Sequence, residues 1–198
     1  MKGTKFTLER WSIVGFSAVT VGMMFAVILL IYGVDETAMR VAIRSTARTS
    51  CLLFLSAFVA AALCRIWSNK FTQWLLKNRR YFGLSMAVSH TYHAIAWGGL
   101  WWVTSGLSPQ FDPLGILGYV FLFAMTVTSF DRPAAWIGKR AWKILHNAGM
   151  HYFWLAFTFE FGTKIFKSIP IYLPLTVLLV AAMILRLVSP RMQRKLVV

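Results

Sequence analysis

No residue between Trp11 and Gly33 carries a charge. An apolar stretch of that length spans a hydrocarbon core of about 30 Å as a helix, and in lipid a helix is one of the few shapes that satisfies its own backbone polar groups. Comparable runs return at Cys51–Trp67, Tyr81–Thr104, Leu114–Phe130, Ala141–Phe166 and Ile171–Val188. The sequence therefore predicts an all-α integral membrane protein, a six-transmembrane-helix bundle forming a single domain over residues 1–198.

Charge supports the same reading. Only 14% of the 198 residues are charged and 58% are hydrophobic, which is too little charge and too much apolar surface for a soluble domain. The formal net charge of +15 points to membrane orientation, not to a nucleic-acid partner. The basic residues gather beside the apolar runs, and no separate basic domain remains to bind nucleic acid. With both termini inside, the N-terminus, the connectors after the second and fourth runs, and the C-terminal tail carry the excess of Lys and Arg, as the positive-inside rule asks. Lys164, Lys167 and the stripe Arg40, Arg44 and Arg48 would lie outside. The stripe recurs every four residues, so on a helix it forms one basic face, expected at headgroup phosphates or, as the alternative, as a patch for haem propionates, an anionic substrate or a partner. The first run has no small-residue cleavage site, so no cleavable signal is expected. Cys51 and Cys64 share one expected helix, at a spacing of roughly 20 Å that is too long for a disulfide.

The chain has four histidines, His90 and His93 in the third run and His146 and His151 in the fifth. An imidazole at membrane depth is costly unless it is paired or coordinated. In a six-span chain the third and fifth helices run in the same direction, so histidines at matching depth can face each other across a planar cofactor. His90 and His93 share one face, whereas His146 and His151, five apart, cannot both face the same partner. Gly83, Ala87, Ser89, Ala94 and Gly149 would leave room for a macrocycle. One imidazole from each helix gives bis-imidazole ligation, which suits electron transfer because no iron position stays open. The expected cofactor is therefore a b-type haem, with a zinc or copper site on the same atoms less favoured for want of a neighbouring Cys or carboxylate.

Two sets of motifs carry a resemblance. Arg79-Arg80-Tyr81-Phe82-Gly83-Leu84 followed by His93 is one. Thr128-Ser129, then Ile137-Gly138-Lys139, Trp142 and Leu145-His146, is the other. Together they resemble the ferric-reductase-like transmembrane domain family, and within it the haem-binding membrane subunit of the periplasmic methionine sulfoxide reductase system. The motifs cover roughly residues 70–166, and a family-like core would extend over about 51–188. The resemblance implies that His93 and His146 ligate the haem iron, with His90 and His151 as further cofactor-binding positions. It also implies an oxidoreductase subunit, not a self-contained catalyst, in the bacterial inner membrane. Electrons would come from a quinol or from a flavin reductase (with quinone or FMN as further cofactors) and leave to a periplasmic redox protein. Where the family has a further histidine on the fifth helix, this chain has Phe159 beside Glu160. Glu160 is expected to pair with Lys164, its i+4 neighbour, or to relay a quinol proton. No glycine-rich nucleotide fingerprint followed by an acidic residue is present.

The rival reading is a non-redox six-helix membrane protein, a transporter or a structural subunit, whose histidines make interhelical hydrogen bonds.

Overall fold

The computed structural model describes residues 8–107 and 113–195, with side chains as far as Pro190. It contains six α-helices and, among the described residues, no strand. They are α1 (Trp11–Tyr32), α2 (Glu36–Ile66), α3 (Lys70–Val103), α4 (Pro113–Val127), α5 (Asp131–Gly162) and α6 (Ile169–Lys195), with a short 3-10 turn at Ile165–Lys167. Each expected apolar run falls largely in one helix, although α4 ends at Val127, short of Phe130, and α5 at Gly162, short of Phe166. Three helical stretches are by themselves long and apolar enough to cross a membrane: Trp11–Tyr32, Glu36–Ile66 and Ile169–Pro190. α4 and α5 pass the same test only as a pair bent by 112°. α3, with 34 residues, has the length but is diluted by Ser85, Ser89, His90, Thr91 and His93.

Three helices, α2, α3 and α5, begin ten or more residues before the apolar segments that announce them. α2 starts at Glu36, where the Asp35 carboxylate accepts a hydrogen bond of 2.7 Å from the Ala38 N–H. Asp35, two residues past the first apolar run, caps the second helix, as an N-cap aspartate does. Gly33 stops α1 with φ 78, a left-handed value that suits glycine. α3 starts at Lys70 behind a capping box in which Asn69 accepts from Thr72 N–H and Thr72 returns a bond to Asn69 N–H, as such boxes do. The basic segment before Tyr81 is thus helical, and α3 is about 51 Å long. The expected connector at 131–143 is also mostly helix, and Gly138, at φ 79 and ψ 157, breaks α5 there.

α2 and α3 pack closely along their length, α1 lies against α3, and α6 against α2 and α5. One apolar core joins Cys51, Phe54 and Phe58 of α2, Met86 of α3, Phe153, Phe157 and Phe161 of α5, and Tyr172 and Leu179 of α6. A smaller one joins Ile28, Ala38, Ala42 and Ala96. Both cysteines are free, Cys51 in the main core and Cys64 half-buried. Much of the outer surface is apolar: Leu30 is 84% exposed, Trp136 88% and Phe166 94%. Such a surface calls for lipid.

Candidate functional site: the four histidines

The α2–α3 seam places His93. Ser50 Oγ donates to Ser89 Oγ at 2.9 Å, and Ser89 Oγ donates to the Thr46 carbonyl at 3.2 Å. Small hydroxyl residues let two helices approach and hydrogen-bond across the contact. One turn along α3, His93 Nδ1 lies 3.1 Å from both the Ile43 carbonyl and Thr46 Oγ1. Its Nε2 lies 3.1 Å from Trp97 Nε1, which can only donate. Nδ1 therefore carries the proton and Nε2 accepts. Both nitrogens of His93 are engaged, and the ring is turned toward α2.

His90, three residues earlier, lies beside His93 on the same helix but meets different neighbours. Its ring lies 6.1 Å from Phe153 and 6.0 Å from Phe157 on α5, 5.9 Å from Tyr119 on α4, and 5.4 Å from the His93 ring. The Tyr119 hydroxyl donates to the His90 carbonyl at 3.4 Å. His90 Nδ1 is buried and has no hydrogen-bond partner.

His146 sits elsewhere. Its Nε2 lies 3.0 Å from Thr128 Oγ1, just beyond the end of α4, and Thr128 Oγ1 in turn donates to the Ala124 carbonyl at 2.7 Å. The hydroxyl proton being used, the imidazole donates to Thr128. Trp142 stacks on His146 with centroids 4.2 Å apart and donates to the Thr128 carbonyl at 2.9 Å. His151 is exposed; its Nδ1 donates to the Asn147 carbonyl at 2.7 Å, and its ring lies 6.2 Å from Phe58 of α2. His146 and His151 thus face different neighbours, as their spacing demanded.

The structure brings His90 and His93 together and does not bring either to His146. Tyr119, at the level of His90, and Thr128, at the level of His146, are separated by about 13 Å along α4. One iron with an imidazole from each helix needs both at one level. The layer between His90 and α5 is filled by the rings of Phe153 and Phe157, which are 5% and 6% exposed. Of the small residues expected to make room, Gly83 has open space where a Cβ would stand, whereas the place beside Gly149 is taken by Met125 and Phe121. The donor set therefore fits a haem chemically, and the packing is closed against one. No group of three or more His, Cys, Asp or Glu side chains suited to a metal ion occurs among the described residues.

Of the remaining polar candidates, Glu160 pairs with Lys164, and Arg40 pairs with Glu36 at 2.7 Å. Arg44 stays exposed, while Arg48 turns inward, its guanidinium 5.4 Å from the Tyr172 ring. The basic stripe is therefore split between surface and interior. Sequence reasoning missed the partners of the histidines: Thr46, Trp97 and Trp142. A signal existed for the two tryptophans, each four residues from a histidine on its own helix, where side chains meet. No protein-family model, curated protein or solved structure matches the chain, so the functional reading rests on these residues and the motifs around them.

Proposed function

We propose that the chain is a six-span membrane subunit of an oxidoreductase that carries electrons across the bilayer on one b-type haem between α3 and α5. The observation that carries this reading is His90. A buried imidazole nitrogen without a partner is expensive in hydrocarbon, and a ligand position is one reason to keep it. Beside it are a second imidazole, the Tyr119 hydroxyl and two phenylalanine rings that exclude water. The motifs nominate His93 and His146 as ligands, with His90 and His151 the other imidazoles of the same two helices. A bis-imidazole haem supplies one-electron uptake and release with no open iron position. A haem held by His93 and His146 would require a packing other than the one described, in which Phe153 and Phe157 fill the layer beside His90 and His146 is bonded to Thr128. In this reading both termini are cytoplasmic, in a bacterial inner membrane. A quinol or a flavin reductase is the donor, and a redox protein on the far side is the acceptor.

A second reading has its own support. His93 and His146 each hold a neighbouring helix by hydrogen bonds, as in a non-redox membrane protein. The test is a dithionite-reduced minus oxidised absorption spectrum of the detergent-purified protein from haem-replete cells, with haem quantified per chain. A sharp b-type difference spectrum that disappears in His93→Ala or His146→Ala supports the proposal. Loss in His90→Ala or His151→Ala instead keeps the carrier and reassigns the ligand. A colourless protein leaves the second reading.

A further inference from the structure

Arg48 carries a charge in the middle of α2, a helix long and apolar enough to cross a membrane. It stands about 18 Å from the start of that helix and about 27 Å from its end. Charged side chains at such positions are costly and mark ligand or ion sites by default. Thr46 and Ser50 meet α3, and a step of two residues turns about 200° around a helix. Arg48 therefore emerges on the opposite face, where α6 packs. There its Nη2 donates to the Tyr172 hydroxyl at 3.4 Å, and its guanidinium lies 5.4 Å from the centroid of the Tyr172 ring. Tyr172 is itself held in the first turn of α6. Its N–H donates to the Ser168 carbonyl at 3.0 Å, and its ring lies 6.0 Å from that of Phe161.

Among the described residues no carboxylate answers this charge. The chain has six acidic residues. Glu9, Glu36, Asp131 and Glu160 pair with Lys77, Arg40, Arg80 and Lys164. The Asp35 carboxylate caps α2, and Asp112 lies outside the described residues. A guanidinium has five N–H donors and no acceptor, and Arg48 Nε is buried without a hydrogen-bond partner. The Tyr172 hydroxyl accepts from Arg48 and donates to no described group, so its own proton is uncommitted. Arg44, one turn away on the same face, is exposed and in no ion pair among the described residues; its Nε donates to the Arg40 carbonyl at 3.0 Å. The excess of Lys and Arg lies at the other end of the bundle, so membrane orientation gives no reason for Arg44 and Arg48. Two cations and a phenol proton, with no acidic group set against them, match one ligand chemistry.

We infer that Arg44, Arg48 and Tyr172 form a site between α2 and α6 for a phosphate group, borne by a lipid headgroup or free in solution. Phosphate oxygens accept donors from several directions and suit the planar guanidinium in particular. The Tyr172 ring holds the Arg48 guanidinium in place by its π-face, and the hydroxyl adds a donor beside it. The site uses no histidine and so does not rest on the haem reading.

The experiment uses the delipidated full-length protein in detergent. Inorganic phosphate, phosphatidylglycerol and a diacylglycerol with the same acyl chains are offered separately, and retention is followed by native mass spectrometry. One phosphatidylglycerol per chain, held about tenfold or more tighter than the diacylglycerol, supports the site and names a lipid as its source. One inorganic phosphate per chain that displaces phosphatidylglycerol supports it and names free phosphate. In either case Arg48→Gln should lower retention about tenfold or more, and Arg48→Lys, which keeps the charge without the planar fork, should recover part of it. Tyr172→Phe leaves the ring against Phe161 and removes the hydroxyl, and should lower retention by a smaller factor. Arg48 also packs on Tyr172, so Arg44→Gln, at an exposed position in no ion pair, serves as the second charge variant. It should lower retention about fivefold and decides the matter alone if Arg48→Gln does not fold. Phosphatidylglycerol held no tighter than diacylglycerol, together with no bound inorganic phosphate, overturns the inference. So does phosphate or lipid binding that survives both Arg48→Gln and Arg44→Gln at full strength.

Discussion

His90 and His93 are three residues apart on one helix, yet they enter two seams built on different principles. On the His93 side, α2 and α3 meet through small hydroxyl residues: Thr46, Ser50 and Ser89 are fully buried and linked by short hydrogen bonds. On the His90 side, α3 meets α4 and α5 through large rings, and α4 contributes no buried residue at all. The first seam is held by pairing and close approach; the second is filled by volume. A buried polar group with its partners in place is architecture. One without them is strain, or a place kept for something else. The same residue type three positions apart thus supports opposite inferences, and its surroundings decide between them.

The paired seam should be the fragile one. Ser89→Leu puts three extra carbons where Ser89 has no exposure and removes the acceptor of the Ser50 hydroxyl. Overpacking and an orphaned donor together should cost about 3 kcal/mol or more. A drop in thermal-unfolding temperature of the detergent-solubilised protein, larger than for any other variant discussed below, is the expected result. A wild-type unfolding temperature for Ser89→Leu would mean that the α2–α3 seam is loose and that its contrast with the α4–α5 side is false.

Next comes His93→Leu. It strands the Trp97 indole N–H and withdraws the donor to Ile43 and Thr46, an expected loss of about 2 kcal/mol. His93→Asn, which can still donate and accept, should recover part of it. Equal destabilisation by the two substitutions would assign the effect to ring volume instead of pairing.

Much of the fold was legible because hydropathy sees what lies in hydrocarbon. The six apolar segments became six helices, and Gly33 and Gly138 marked the breaks. The helical course of Arg40, Arg44 and Arg48 was legible in their spacing, whereas the start of α3 was not. Lys70 and Lys77 look like connector residues, yet a charged surface does not stop a helix, and the caps at Asp35 and Asn69 set where α2 and α3 begin. The site was legible as residue types and as faces: the spacing of His146 and His151 sent them to different neighbours. Depth was not legible. It depends on how far α5 is displaced by the break at Gly138 and by the bend between α4 and α5, and neither quantity has a signature in residue spacing.

That break offers the third test. Gly138 holds φ 79 and ψ 157, a region that L side chains enter at a cost of about 1–3 kcal/mol. Space is not the obstacle, since nothing lies within 4 Å of where its Cβ would be. Gly138→Ala should therefore cost about 1 kcal/mol through backbone strain alone. It should also weaken the Arg80–Asp131 pair, now at 3.3 Å, because the short helix before the break carries Asp131. If Gly138→Ala leaves stability unchanged, α5 can run straight through this point. The level of His146 relative to His90 would then be adjustable without strain.

The smallest expected effect belongs to His90→Leu, and it separates the two seams most cleanly. Leucine fills a similar volume among Phe153, Phe157 and Tyr119 and removes a buried nitrogen that has no partner. Taking away an unsatisfied polar group in favour of an apolar one of similar shape is near neutral or stabilising. The haem-free protein should therefore unfold at the wild-type temperature or slightly above it, while His93→Leu unfolds well below. The same variant should change the difference spectrum or the haem content of protein from haem-replete cells if His90 takes part in holding the cofactor. A large loss of stability on removing His90 would mean that its ring is paired after all, and the reason for placing a ligand beside α5 would go with it. Unchanged stability with an unchanged spectrum would leave His90 as filler, and the haem, if present, to His93 and His146 alone.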